Sequence, residues 1–121
     1  MSKILIIEDD PFLQGLEANK LTKDGYDVLV ASTGDEGMQK ITEAGVGLIL
    51  LDLVLPNFDG FQILEKVRST DNIKTLPVIV FSNLSESKDV EKAQKLGATD
   101  FMVKSNFTLD ELSERIKSII K

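Results

Sequence analysis

The feature that most constrains this chain is an alternation: five short apolar runs, each separated from the next by a longer stretch of helical period. The runs are 3–7 (KILII), 26–31 (YDVLVA), 47–51 (GLILL), 77–81 (PVIVF) and 100–103 (DFMV). Several are continuously apolar, as strands buried on both faces should be. Residues 34–44 place Met38, Ile41 and Ala44 on one helical face, 60–69 place Phe61, Leu64 and Val67, and 87–96 place Val90, Ala93 and Leu96. In the last helix Leu109, Leu112, Ile116 and Ile119 follow a capping-box pair, Thr108 and Glu111. The first helix, 11–24, starts at Pro11 and stops at Gly25, residues suited to those places. Phe12, Leu13 and Leu16 share its expected inner face, while Lys20 interrupts that face and Leu21 sits to one side. Strands alternating with helices predict an α/β fold, a parallel five-stranded sheet with helices on both faces. Right-handed crossovers leave few topologies, and the doubly wound, flavodoxin-like order 2-1-3-4-5 is the common one. No repeat, low-complexity tract or linker interrupts the pattern, so 1–121 reads as one domain.

That length suits one hydrophobic core, and 42 % apolar with 28 % charged residues is a globular balance. Apolar runs such as 47–55 are far too short to span a bilayer. The start, MSKILIIEDD, lacks the long apolar run of a signal peptide, which leaves the cytoplasm as the default expectation. With no Cys and no His, thiolate chemistry, imidazole bases and the usual zinc ligands are excluded. Carboxylates, hydroxyls and lysines must carry any chemistry. A net charge of −6 argues against direct nucleic-acid binding by this segment.

In such a sheet a site forms at the carboxyl ends of the strands, beside the switch point between the first and third. Strand 1 runs into Glu8, Asp9 and Asp10, strand 3 into Asp52, strand 4 into Ser82 and strand 5 into Lys104. Like charges ~4 Å apart repel by several kcal/mol at intermediate dielectric, so such a cluster protonates or recruits a cation. An all-oxygen set with room for water favours Mg²⁺. Asp10 has a structural alternative as the cap before Pro11. Taken singly, Ser82 reads as a turn residue and Lys104 as a surface lysine; their places at strand ends give them weight. An acid closing an apolar run, as Asp52 does, must be paired or functional.

At these residues the sequence resembles the response-regulator receiver family. The matching segments are ILIIEDD, LILLDLVLPNFDG, VIVFSN and GATDFMVK, in order and spread over the whole chain. The resemblance implies that Asp52 accepts a phosphoryl group from a histidine kinase, a phosphotransfer protein or a small phosphodonor. It implies Mg²⁺ held by Asp9, Asp52 and the Val54 carbonyl, with Glu8 acting through water, and Ser82 and Lys104 on the phosphoryl oxygens. Phe101 falls where the family has its switch aromatic, although a plain core phenylalanine is an equal reading. Phosphorylation would then alter the face of the fourth helix, fifth strand and fifth helix for a downstream target or fused output domain. The molecule would be a monomer or a phosphorylation-dependent homodimer, and no enzyme beyond its own phosphorylation and dephosphorylation.

Two departures from the family pattern stand beside the site. Ser105 replaces the usual proline after the lysine, and Asn83 replaces the very small residue after the hydroxyl, narrowing the approach. Val54 and Leu84, which the resemblance places beside the path of the hydrolytic water, cannot orient water by hydrogen bonding, so a long-lived aspartyl phosphate is expected. An unphosphorylated interaction module on the same fold is the main rival. An aspartate-nucleophile phosphatase would need a second acid where Val54 stands, and flavin binding would need a glycine-bearing loop where EDDPF stands.

Overall fold

The computed structural model describes residues 2–43 and 45–120. Along the chain run β1 (Lys3–Ile7), α1 (Pro11–Lys23), β2 (Asp27–Ala31), α2 (Gly34–Lys40) and β3 (Val46–Leu51). A small hairpin, β4 (Val54–Leu55) and β5 (Phe58–Asp59), leads to α3 (Gly60–Ser69). Then come β6 (Val78–Ser82), α4 (Ser87–Lys95), β7 (Asp100–Val103), a 3₁₀ turn (Lys104–Asn106) and α5 (Leu109–Ile119). The main sheet is parallel in the order β2-β1-β3-β6-β7, which is 2-1-3-4-5 once the hairpin is set aside.

Side-chain alternation along the strands divides the core in two. Leu5, Ile7, Ile49, Leu51, Val78 and Val80 face α2, α3 and α4, where Ile41, Leu64, Val67 and Ala93 meet them. Ile4, Ile6, Leu48, Leu50, Ile79 and Phe81 face the other way, toward Leu21 of α1 and Leu112 and Ile116 of α5. Both faces of the central strands are therefore buried, which is why they read as unbroken apolar runs.

The sequence expectations hold for the five strands and, with small shifts, for the helix ends. Helix α5 carries the capping box: Thr108 Oγ accepts from the Glu111 N–H while the Glu111 carboxylate accepts from the Thr108 N–H. Three expectations change. Helix α2 stops at Lys40, with Ile41 buried at its cap, and Ala44 lies outside the described residues. The hairpin escapes a reading based on period because its strands are two residues each; Asn57, at φ 56, makes the turn between them after Pro56. Helix α1 is rotated from its expected face: Phe12 is 76 % and Leu16 41 % exposed, while Leu21 and Glu17 are buried. Packing Leu21 against the sheet carries Glu17, one turn earlier, inward with it.

Gly60 sets the approach of α3 to the loop after β3. A Cβ there would lie 2.5 Å from the Leu53 Cα, so only glycine lets the helix start so close to the backbone that follows Asp52.

Candidate phosphoacceptor site

Register brings the polar residues together. Ile7 of β1 pairs with Leu51 of β3, so the residues that follow, Glu8 and Asp52, leave the sheet at the same level. The Asp52 N–H donates to the Ile7 carbonyl and the Glu8 N–H to the Ala31 carbonyl, each at 3.0 Å, extending the ladder by one rung. Ser82, the last residue of β6, pairs with Val103 of β7, which puts Lys104 just beyond the same edge.

Around Asp52 the bonding is dense. Its Oδ1 accepts from the Ser82 hydroxyl at 2.8 Å and from the Val54 N–H at 3.0 Å, and its Oδ2 accepts from Lys104 Nζ at 2.7 Å. The same ammonium donates to Glu8 Oε1 at 2.5 Å, and Glu8 Oε2 accepts from the Asp10 N–H at 3.2 Å. Asp52 is only 6 % exposed and Glu8 2 %, so water does little to screen these charges. Burial and the neighbouring Asp52 push the Glu8 carboxyl above its usual range, against the pull of Lys104. Burial alone would lower Lys104, but its bonds to Asp52 and Glu8 outweigh that and hold its proton more tightly than usual.

All the expected site residues except Phe101 converge. Glu8, Asp9 and Asp52 offer carboxylate oxygens that lie within 4.8 Å of one another. They line an open cleft of about 290 Å³ together with Asp10, Val54, Asn83 and Lys104. Phe101 stands apart, half-buried against the α3–α4 side of the core, with its N–H bonded to the Asp100 carboxylate. Asp10 takes the structural part open to it, capping α1 by accepting from the Phe12 and Leu13 N–H groups. Ser105 lies in the 3₁₀ turn, and no peptide bond among the described residues is cis.

Two polar residues near this edge carry no signal of their own in the sequence. Gln14 donates to the Glu8 carbonyl, and Glu17 is 1 % exposed with neither carboxylate oxygen hydrogen-bonded among the described residues. Their helical spacing from the acid cluster is visible in the sequence, but the rotation of α1 that turns them inward is not.

The fold and the strand-end cluster point to a signalling domain of the receiver type, and comparison with known proteins agrees on that class. Residues 4–117 match the family model described as the response regulator receiver domain, and the chain belongs to that family. It is 35 % identical over 121 residues to the response regulator ArlR of Staphylococcus saprophyticus, covering 100 % of this chain and 53 % of that one. It is 32 % identical over 121 residues to the DNA-binding dual master transcriptional regulator RpaA of Synechocystis, covering 100 % of this chain and 50 % of that one. The chain thus spans about half the length of these relatives. Among solved structures, a CheY-like response regulator receiver domain protein from Methanospirillum hungatei superposes with a TM-score of 0.90 at 27 % identity, covering 98 % of this chain and 93 % of that one. No helix among the described residues is long and apolar enough to cross a membrane.

Proposed function

We propose that Asp52 is the phosphoryl acceptor of a Mg²⁺-dependent receiver in a two-component relay. The observation that carries this reading is the pair of donors already on its carboxylate, Ser82 at 2.8 Å and Lys104 at 2.7 Å. A carboxylate oxygen of Asp52 forms the new bond to phosphorus as the bond to the donor's leaving atom breaks, and the leaving atom keeps the electron pair. The Ser82 hydroxyl and the Lys104 ammonium then bind the phosphoryl oxygens, charge-assisted in the case of Lys104.

The donor set suits a hard cation. Oxygens within 4.8 Å of one another match the roughly 4 Å span of a Mg²⁺ shell with a water-bridged member. Asp9 and Asp52 would be direct ligands, with the Val54 carbonyl beside them. Both Glu8 oxygens are committed to Lys104 and the Asp10 N–H, which suits Glu8 to a water-bridged part. Bound there, Mg²⁺ would offset the carboxylate charge that otherwise repels a phosphoryl donor.

A histidine kinase, a phosphotransfer protein or a small phosphodonor would supply the group, in a cytoplasmic setting. Pulling Ser82 toward the phosphoryl oxygens would open space for Phe101 to turn inward and alter the face of α4, β7 and α5. That face would meet a downstream partner, a fused output domain or a second copy, without direct nucleic-acid contact by this segment and without turnover of any other substrate. Incubation with Mg²⁺ and acetyl phosphate, followed by intact mass, is the test. One phosphoryl adduct is expected, absent in Asp52→Asn and absent with a chelator. An unmodified wild-type chain would favour a phosphorylation-independent interaction module.

The adduct is expected to decay slowly. Val54 is 53 % exposed over the cleft, Leu84 is half-buried beside Ser82, and neither side chain can hold an attacking water. Loss of phosphate should quicken in Val54→Asn or Leu84→Glu; a wild type that decays faster than these variants contradicts the assignment.

A further inference from the structure

The Asp9 carboxylate is the one member of the acidic cluster that no bond orients. Glu8 is held by Lys104 and the Asp10 N–H, and Asp52 by Ser82, Lys104 and the Val54 N–H. No hydrogen bond or ion pair reaches the Asp9 side chain among the described residues, so its aim depends on the backbone that carries it. That backbone is clamped on both sides. On the far side, the N–H of the Asp9–Asp10 peptide donates to Glu8 Oε2 at 3.2 Å. On the near side, the carbonyl of the Glu8–Asp9 peptide accepts from the Gln14 side-chain amide at 2.8 Å.

Gln14 is well anchored for this work. It sits in the first turns of α1, whose start is fixed by the Asp10 cap. Its amide nitrogen also lies 3.1 Å from Ser32 Oγ and 3.4 Å from the Ala31 carbonyl. The Ala31 carbonyl accepts the Glu8 N–H as well, so Gln14 ties the end of β1 to the end of β2 where the sheet ladder runs out. Glu8 O is past the last strand residue, and a buried carbonyl there needs a donor from elsewhere. Satisfying that carbonyl would by itself be a purely structural task. What adds a functional one is which peptide is held: the plane whose rotation would swing Asp9 off the cleft.

We propose that Gln14 is a positioning residue, acting through the Glu8–Asp9 peptide to aim the Asp9 carboxylate at a divalent cation. The inference rests on the cation reading of the acidic cluster. Partners of this kind outside the ligand set typically change metal affinity by about 10- to 100-fold when removed.

The test is calorimetric titration of the intact chain with Mg²⁺ alone, paired with thermal melts in chelator. Gln14→Met keeps the side-chain length and loses the donor; Gln14→Asn keeps the amide and withdraws it, and serves if the first variant fails to fold. Both should bind Mg²⁺ about tenfold more weakly than wild type. In an Asp9→Asn background, adding Gln14→Met should cause no further loss, because the two changes act on one ligand. Wild-type affinity in a variant that melts earlier overturns the proposal and leaves a structural glutamine. Losses that add in full also overturn it, since Gln14 would then act elsewhere. A wild type that binds no Mg²⁺ overturns the cation reading itself, and this inference with it.

Discussion

Replacing Glu17 with leucine is expected to stabilise the fold by on the order of 3 kcal/mol at pH 8 and by distinctly less at pH 5. Glu17 is 1 % exposed, and neither carboxylate oxygen has a hydrogen-bond partner among the described residues. Burial, and then the charge of Glu8, push its carboxyl up from an ordinary 4.5 to about 8; Asp52 and Asp10 act in the same direction, and Lys104 opposes them. The folded chain therefore holds this proton across a window in which the unfolded chain has released it. Stability is highest below the unfolded value and falls as pH rises toward 8, by up to ~1.4 kcal/mol per pH unit inside the window. Glu8, also raised, slopes the same way. Asp24 slopes oppositely: the Ser113 hydroxyl, and then Lys20, lower its carboxyl, so its contribution is lost as pH falls. At pH 5 the protonated Glu17 still buries polar atoms without partners, so leucine gains there too, but less. Urea unfolding of both proteins at the two pH values measures this directly. A gain of equal size at each pH would show that the folded chain does not retain the Glu17 proton across that window, and a loss would show that the carboxylate has a partner after all.

The second large effect is expected at Lys104. Its ammonium is the cation bonded to both Glu8 and Asp52, and its side chain is 11 % exposed. Lys104→Met leaves two buried carboxylates facing one another with Asp9 beside them. Removing one partner of a buried ionic cluster typically costs ~3–5 kcal/mol, mostly through the charge left behind. The variant should therefore be less stable than wild type by about that amount in chelator, as read from urea unfolding. Mg²⁺ should recover more stability in the variant than in wild type, because a cation then supplies the missing charge. Lowering the pH should narrow the gap as well, since Glu8, freed of its lysine, protonates more readily. Equal stability of the two proteins in chelator would contradict a charge-balancing role for Lys104. Recovery of stability with Mg²⁺ but no phosphorylation-dependent change in the α4–β7–α5 face would separate its charge-balancing part from the signalling part proposed for it.

Both effects come from one edge of the sheet, yet they are not equally visible in the sequence. Glu8, Asp52, Ser82 and Lys104 follow apolar runs directly, and strand ends in a doubly wound sheet meet at one crevice. Their convergence is the consequence of parallel register, Ile7 level with Leu51 and Ser82 level with Val103. Glu17 carries no such signal. On a helix, one charged residue in the apolar stripe is indistinguishable from one at its margin until the helix is seated, and α1 has several competing stripes. The hairpin of Val54–Leu55 with Phe58–Asp59 is hidden for a different reason: two residues are too short to show a period.

By itself, then, the sequence determined the strands, the doubly wound class and the list of strand-end residues from Glu8 to Lys104, while the order 2-1-3-4-5 was only the common one among the few topologies left open. Local pattern and chain connectivity are sufficient for these, because buried strands must be apolar and crossovers have one hand. Only the tertiary structure decided which way α1 faces, and with it the burial of Glu17 and the reach of Gln14 to the Glu8 carbonyl. It also decided that Lys104 bridges Glu8 and Asp52, and that Ser105 is accommodated in a 3₁₀ turn after it. The physical reason is the same in each case. A helix rotation or a side-chain bridge is set by packing and charge across the whole core, between residues as far apart in sequence as Glu8 and Lys104, and local periodicity carries no record of it.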